Sequence, residues 1–276
     1  MDVVRLRGLR VSKRILLYLM GISLLAFLLV ISCASNKVEK IDDLSDELLY
    51  SQGMERMEKE DWDEAIDNFT KLERYFPRSP HLEEARLAKA DAHFNKGGIS
   101  GYIEALAEYQ AFQSFYPSIS RLDYVQFQIS MCYFKQMYSY DRDPTYTMQA
   151  YQAFNTFLEK YPQSSLREEG LKRFNECKNR LARHEFSVGE YYFKRKAYLP
   201  AIQRLRSVLK EYPNSIWQDE VYYFLAEALW QLGNHNEAAI YFRKLIEEFP
   251  NNQWVAEAKE RLASLKKEEE TKPPIS

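Results

Sequence analysis

The stretch DEVYYFLAEALWQLGNHNEAAIYFRKLIEEFPNN, Asp219 to Asn252, decides the fold. Its first half sets Tyr222, Leu225, Ala226 and Leu229 three and four residues apart, the spacing of one helix face. Gly233-Asn234 is a turn pair. The second half carries Ala238 and Phe242 one turn apart and stops at Pro250, which disfavours the helical conformation in the residue before it. The stretch therefore reads as a helical hairpin. Ala238 lets two helices approach closely, and Phe242 fills the space one turn on.

The same sentence recurs along the chain. Aromatic-proline pairs stand at Phe76-Pro77, Tyr116-Pro117, Tyr161-Pro162, Tyr212-Pro213 and Phe249-Pro250. Twelve residues before each of these prolines is an alanine: Ala65, Ala105, Ala150, Ala201 and Ala238. Four residues after each alanine is a large apolar residue: Phe69, Tyr109, Phe154, Leu205 and Phe242. Alanine is roughly one residue in twelve of an ordinary chain, so five in register mark an internal repeat and not composition. The prolines lie 40, 45, 51 and 37 residues apart, which suits a pair of helices plus turns. The unit at Asp219 to Asn252 resembles the 34-residue tetratricopeptide repeat without a gap. Gly53 in the first unit, and Gly189 with Tyr192 in the fourth, fall in the same register. The second and third units carry insertions, NKGGISG and QMYSYDRDP, expected between their helices.

One such unit cannot bury its apolar face alone, so neighbours stack and share a core. The expected fold is all-α, a superhelical solenoid of about five tetratricopeptide-type helix pairs. Trp254 to Lys267 is expected to close it, and Leu166 to Lys196, free of proline, reads as one long helix. The expected divisions are repeats 1–2 over 44–118, repeat 3 over 119–163, and repeats 4–5 with the closing helix over 164–268. A flexible charged tail is expected over 269–276.

The front of the chain has another composition. Arg5, Arg7, Arg10, Lys13 and Arg14 precede an apolar run from Ile15 to Ile31, and VISC, Val30 to Cys33, follows. A basic region, an apolar region and a short cleavage site describe a secretory signal over 1–32. The ending resembles a bacterial lipoprotein box, which implies cleavage before Cys33, acylation of that residue, and a polar tether over 33–43. A plain signal anchor is the other reading of the apolar run, which at 17 residues is at the short end for a membrane-spanning helix. From Cys33 onward the chain carries 33 basic and 39 acidic residues, a net charge of −6. A mildly acidic body argues against a nucleic-acid partner.

No catalytic or metal-binding constellation is legible. His81, His93, His184 and His235 fall in different units at no ligand spacing. Cys132 and Cys177 sit in helical stretches, either as buried thiols or as a disulfide. In DRDP, Asp143 suits a helix cap and Pro144 a helix opening. No cofactor motif is present, so neither an enzyme nor a cofactor is expected. The face of each first helix turned away from its partner is left for binding. In the first unit it should hold Glu47, Tyr50, Met54 and Met57, and in the third Tyr124, Phe127 and Met131. Methionine and tyrosine on an open groove suit adaptable peptide binding.

The middle of the chain narrows the field. DRDP, then FLEKYPQSSL, then NRLARHEFSVGEYYFKRKAYLPAIQRLRSVLKEYP, resembles the BamD family of lipoprotein subunits of the outer-membrane β-barrel assembly machine. The resemblance covers about residues 33–255 and is strongest from Tyr140 to Pro213. It implies a non-enzymatic scaffold, lipid-anchored on the periplasmic face of the outer membrane. Its implied partners are the periplasmic POTRA region of the barrel protein BamA and unfolded outer-membrane proteins received by the N-terminal repeats. By position it puts Arg204, within AIQRLRSV, at the BamA contact, with Arg195 and Tyr198 just before it. A guanidinium there would offer forked hydrogen bonds to a carboxylate or to backbone carbonyls. The alternative is another lipid-anchored repeat adaptor, serving envelope division or secretin assembly.

Overall fold

An alanine twelve residues before each of the five aromatic-proline pairs' prolines has a direct structural outcome. In a computed structural model of the protein, which describes residues 44–271 and side chains as far as 267, the chain folds into helices joined by short turns. They are α1 (Asp46–Glu58), α2 (Trp62–Tyr75), α3 (Leu82–Lys96), α4 (Gly98–Phe115), α5 (Leu122–Lys135) and α6 (Thr145–Lys160). After these come α7 (Arg167–Lys194), α8 (Tyr198–Glu211), α9 (Gln218–Gln231), α10 (His235–Glu248) and α11 (Val255–Thr271). There is no strand among the described residues. The signal segment, Cys33 and the tether lie outside the described residues, as do residues 272–276 of the tail.

The second helix of every hairpin is built alike. The repeated alanine, the large residue four later and the apolar residue seven later (Leu72, Phe112, Phe157, Val208 or Leu245) are all at most 1% exposed. Each buried large side chain contributes about 1.5–3 kcal/mol relative to exposure. The aromatic before each proline has φ between −133° and −125° and ψ between 58° and 60°, outside the helical region. Proline imposes that departure on the residue before it. The aromatic N–H still donates to the carbonyl four residues back, so the helix ends satisfied. Its ring then lies against the array: Tyr212 is 5% exposed and meets Tyr151 edge-on at 6.3 Å.

The first helices answer the second. A Cβ on Gly53 would stand 2.4 Å from the Phe69 ring, so only glycine admits that ring. Three hairpins, α1–α2, α7–α8 and α9–α10, turn on one residue in the left-handed region: Glu60, Lys196 and Gly233. The next N–H donates back to Arg56, Tyr192 and Leu229, closing the turn that commonly ends helices.

Each helix packs on the next in sequence, and α1–α3, α5–α7 and α7–α9 also touch. First helix against first helix is the contact that stacked hairpins make and a bundle need not. From Asp46 to Thr271 the chain is one compact unit. Helix α7, 28 residues and about 42 Å long, serves two hairpins. Its start packs on α6, where Phe174 stacks on Tyr151 at 4.7 Å. Its end packs on α8, where Gly189 faces Leu205.

Several details differ from expectation. NKGGISG is not a loop: α3 runs through Lys96, the chain turns at Gly97 (φ +72°), and α4 starts at Gly98. The insertion lengthens a helix because two adjacent glycines, Gly97 and Gly98, both at φ +72°, suffice to reverse the chain. QMYSYDRDP does form a long connection between α5 and α6. There Asp143 accepts the Thr145 N–H at 2.8 Å, and Pro144 stands one residue before the helix. The closing helix runs on to Thr271, into the segment expected to be a tail. Cys132 and Cys177 are separate buried thiols, each pushed up to about 12 by burial. No described helix is long and apolar enough to cross a membrane.

Candidate functional site

Two surfaces hold the residues singled out above. The first is at the N-terminal hairpins. Tyr50 on α1 is half-buried; its hydroxyl donates to Glu84 at 2.8 Å, and its ring stacks on His81 at 4.6 Å. Glu47 meets His81 at 2.7 Å. Burial, then the hydrogen-bonded Glu84 carboxylate, pushes the Tyr50 hydroxyl above its ordinary range. Met54 is exposed and Met57 half-buried. Tyr124 on α5 donates to Asp91 at 2.7 Å, and Tyr109 donates to the same oxygen at 2.6 Å. Arg121 lies over the Tyr124 ring at 5.5 Å, and its positive charge opposes part of the upward push on the Tyr50 hydroxyl.

Phe127 does not belong to this surface. It is 8% exposed and sits edge-on to Phe154 and Phe157 at 5.9 and 5.6 Å. The reason is geometric. On α5, Val125, Phe127 and Ile129 are all buried because that helix is covered from more than one side. A face chosen by spacing alone cannot register the second neighbour. Spacing also missed His81, Glu84, Asp91 and Arg121, which carry no motif and meet only when hairpins stack.

The second surface is the α7–α8 hairpin. Arg204 is half-exposed and donates to Glu185 of α7 at 3.1 Å. Arg195, at the turn, lies over the exposed Tyr191 ring at 3.8 Å. Tyr198 is half-buried, edge-on to Phe193 at 5.8 Å. Arg195 and Tyr198 thus flank the turn, while Arg204 lies nearly two helical turns further along α8. Leu199 stands beside them, 66% exposed.

No group of acidic, histidine or cysteine side chains among the described residues has the arrangement of a metal site. Stacked helical hairpins with the alanine, large residue and proline in fixed register define a tetratricopeptide-type repeat protein, and a tetratricopeptide-repeat model matches residues 219–265. The chain belongs to the YfiO family of outer membrane lipoproteins, whose model matches residues 42–241. Among its relatives is the outer membrane protein assembly factor BamD of Caulobacter vibrioides, 29% identical over 212 residues, covering 77% of this chain and 68% of that one. BamD of Xylella fastidiosa is 27% identical over 250 residues, 87% of this chain and 84% of the relative. BamD of Neisseria meningitidis is 28% identical over 226 residues, 78% and 84%.

Proposed function

We propose that the protein is a lipid-anchored scaffold for assembling outer-membrane β-barrel proteins, held by Cys33 on the periplasmic face of the outer membrane. In this reading the α7–α8 surface, with Arg195, Tyr198 and Arg204, takes the periplasmic POTRA region of a BamA-like barrel protein. The N-terminal surface, with Tyr50, Met54, Met57 and Tyr124, receives unfolded outer-membrane protein. The observation that carries the reading is the family match across residues 42–241, which spans the hairpin bearing Arg204. The geometry supports it. Glu185 orients the Arg204 guanidinium while half of the side chain stays open to a partner. An oriented fork loses less freedom on binding than a loose one.

The test is a titration of the POTRA region with the Arg204→Glu variant. Affinity is expected to fall by about 2 kcal/mol or more, as when one partner of an interfacial charge pair is lost. Thermal stability should change little, because an exposed pair contributes at most about 1 kcal/mol. Unchanged affinity would remove Arg204 from the site.

A further inference from the structure

Helix α8 has two different edges. Along one, Arg204 reaches Glu185 of α7. Along the other, Arg206 reaches Glu237 of α10. On that second edge a cleft of about 360 Å³ opens, lined by Arg206, Lys210, Tyr222, Tyr241 and Lys244. Its charged lining residues, Arg206, Lys210 and Lys244, are all cations. Residues 191–210 carry six cations and no acid, whereas the chain from Cys33 onward has a net charge of −6.

Three of the cleft's lining side chains already hold carboxylates of the protein itself. At one end the Glu237 carboxylate accepts from the Arg206 guanidinium. At the other the Glu248 carboxylate accepts from the Tyr222 hydroxyl at 3.2 Å and from the Gln218 amide at 3.1 Å. Lys210 and Lys244 also line the cleft, are exposed and have no carboxylate partner among the described residues; Lys244 lies over the Tyr222 ring at 5.7 Å instead. Leu209 and Pro213 add apolar wall.

We propose that this cleft is a second docking site, which takes a short acidic segment of a partner protein. One carboxylate of the segment seats between Lys210 and Lys244, and a neighbouring apolar side chain lies against Leu209 and Pro213. A recessed cleft bounded by tyrosine hydroxyls and a guanidinium fits side chains of a peptide better than a flat array of lipid headgroups. The site is separate from the Arg204 edge, so it stands or falls apart from the function proposed above.

The test titrates the purified full-length protein, at low salt, with a fluorescein-labelled peptide of alternating Glu-Glu-Leu triplets and with its Gln-Gln-Leu counterpart. The Glu peptide should bind and the Gln peptide bind at least ten-fold more weakly, since exposed ion pairs of up to about 1 kcal/mol each are lost. Replacing both Lys210→Glu and Lys244→Glu should weaken the Glu peptide by a further order of magnitude or more, because attraction becomes repulsion. The double Lys→Arg variant should retain binding, and Arg204→Glu should leave it unchanged. If the charge reversal disturbs the circular dichroism spectrum, the double Lys→Gln variant supplies the comparison. Equal binding of the two peptides, no binding of the Glu peptide, or full binding by both the charge-reversed and the Gln variants overturns the proposal. So does a loss with Arg204→Glu matching that of the double variant, which would put the peptide on the other edge. Binding to phosphatidylglycerol vesicles that needs Lys210 and Lys244, with none to the peptide, would assign the cleft to lipid and overturn it as well.

Discussion

The first three hairpins differ in their interiors from hairpins four and five, although the same repeat sentence builds both. In the former, charge and hydroxyl groups share the space between helices. Lys89 is 7% exposed and lies between Glu73 at 2.7 Å and Glu108 at 3.0 Å. Asp91 accepts from two tyrosines. In the latter, one apolar cluster runs from Leu181 to Ala258 and is lined with aromatic rings. Its buried charge, Glu227, is held by both arms of Arg261 where the closing helix docks. The repeat constrains alanine, the large residue and the turn, and leaves the remaining interior positions to differ. One end can therefore be a densely apolar platform while the other is tuned by ionisation.

Three measurements would break or sharpen this contrast. The largest effect should come from Phe242→Ala in the apolar cluster. It is fully buried, and its truncation should cost about 3–5 kcal/mol in urea unfolding. A cost below 1 kcal/mol would mean that this interior is loosely packed. Next is Arg261→Ala, which strands the Glu227 carboxylate under the closing helix. The expected cost is about 2–3 kcal/mol, below the range for a fully enclosed pair because Arg261 is a third exposed. Hydrogen exchange should report the loss mainly in α11 and α9.

The smallest effect is one of pH and belongs to the first three hairpins. Burial pushes the Asp91 carboxyl above its ordinary value of 3.8, against the tyrosine hydrogen bonds that favour its charge. A raised carboxyl favours folding in its protonated form. Its contribution is complete below the unfolded value and is lost as pH rises through the folded one. The melting temperature of Asp91→Asn should therefore gain on the wild type as pH rises from about 4 to 7. Glu73 has the opposite sign. Burial pushes it up, but Lys89 and Arg86 outweigh that and hold it below its ordinary value. Its contribution is present above the unfolded value and is lost as pH falls through the folded one. If the difference in melting temperature between wild type and Asp91→Asn stayed flat across that range, Asp91 would not be the titrating group.

Much of the array was legible because its rules are local. Ala238, Phe242 and Pro250 act on one another within a single helix, so spacing alone exposes them. The long helix from Arg167 was legible for the same reason, having no proline to stop it. Phe127 was misplaced because its burial depends on Phe154 and Phe157, which belong to another helix. NKGGISG reads from sequence as an insertion between helices, but Gly97 and Gly98, both at φ +72°, make the turn and the rest joins the helices.

Sequence by itself determined that this protein is a file of helical hairpins: where each helix stops, which face is apolar, and which family it resembles. Those properties follow from backbone sterics and from residues three, four and seven apart. Tertiary structure alone decided which exposed groups meet. Arg121 lies over the Tyr124 ring, Asp91 gathers two hydroxyls, and α8 turns Arg204 one way and Arg206 the other. These pairings join residues of different helices, and only the stacking of one hairpin on the next sets the distances between them.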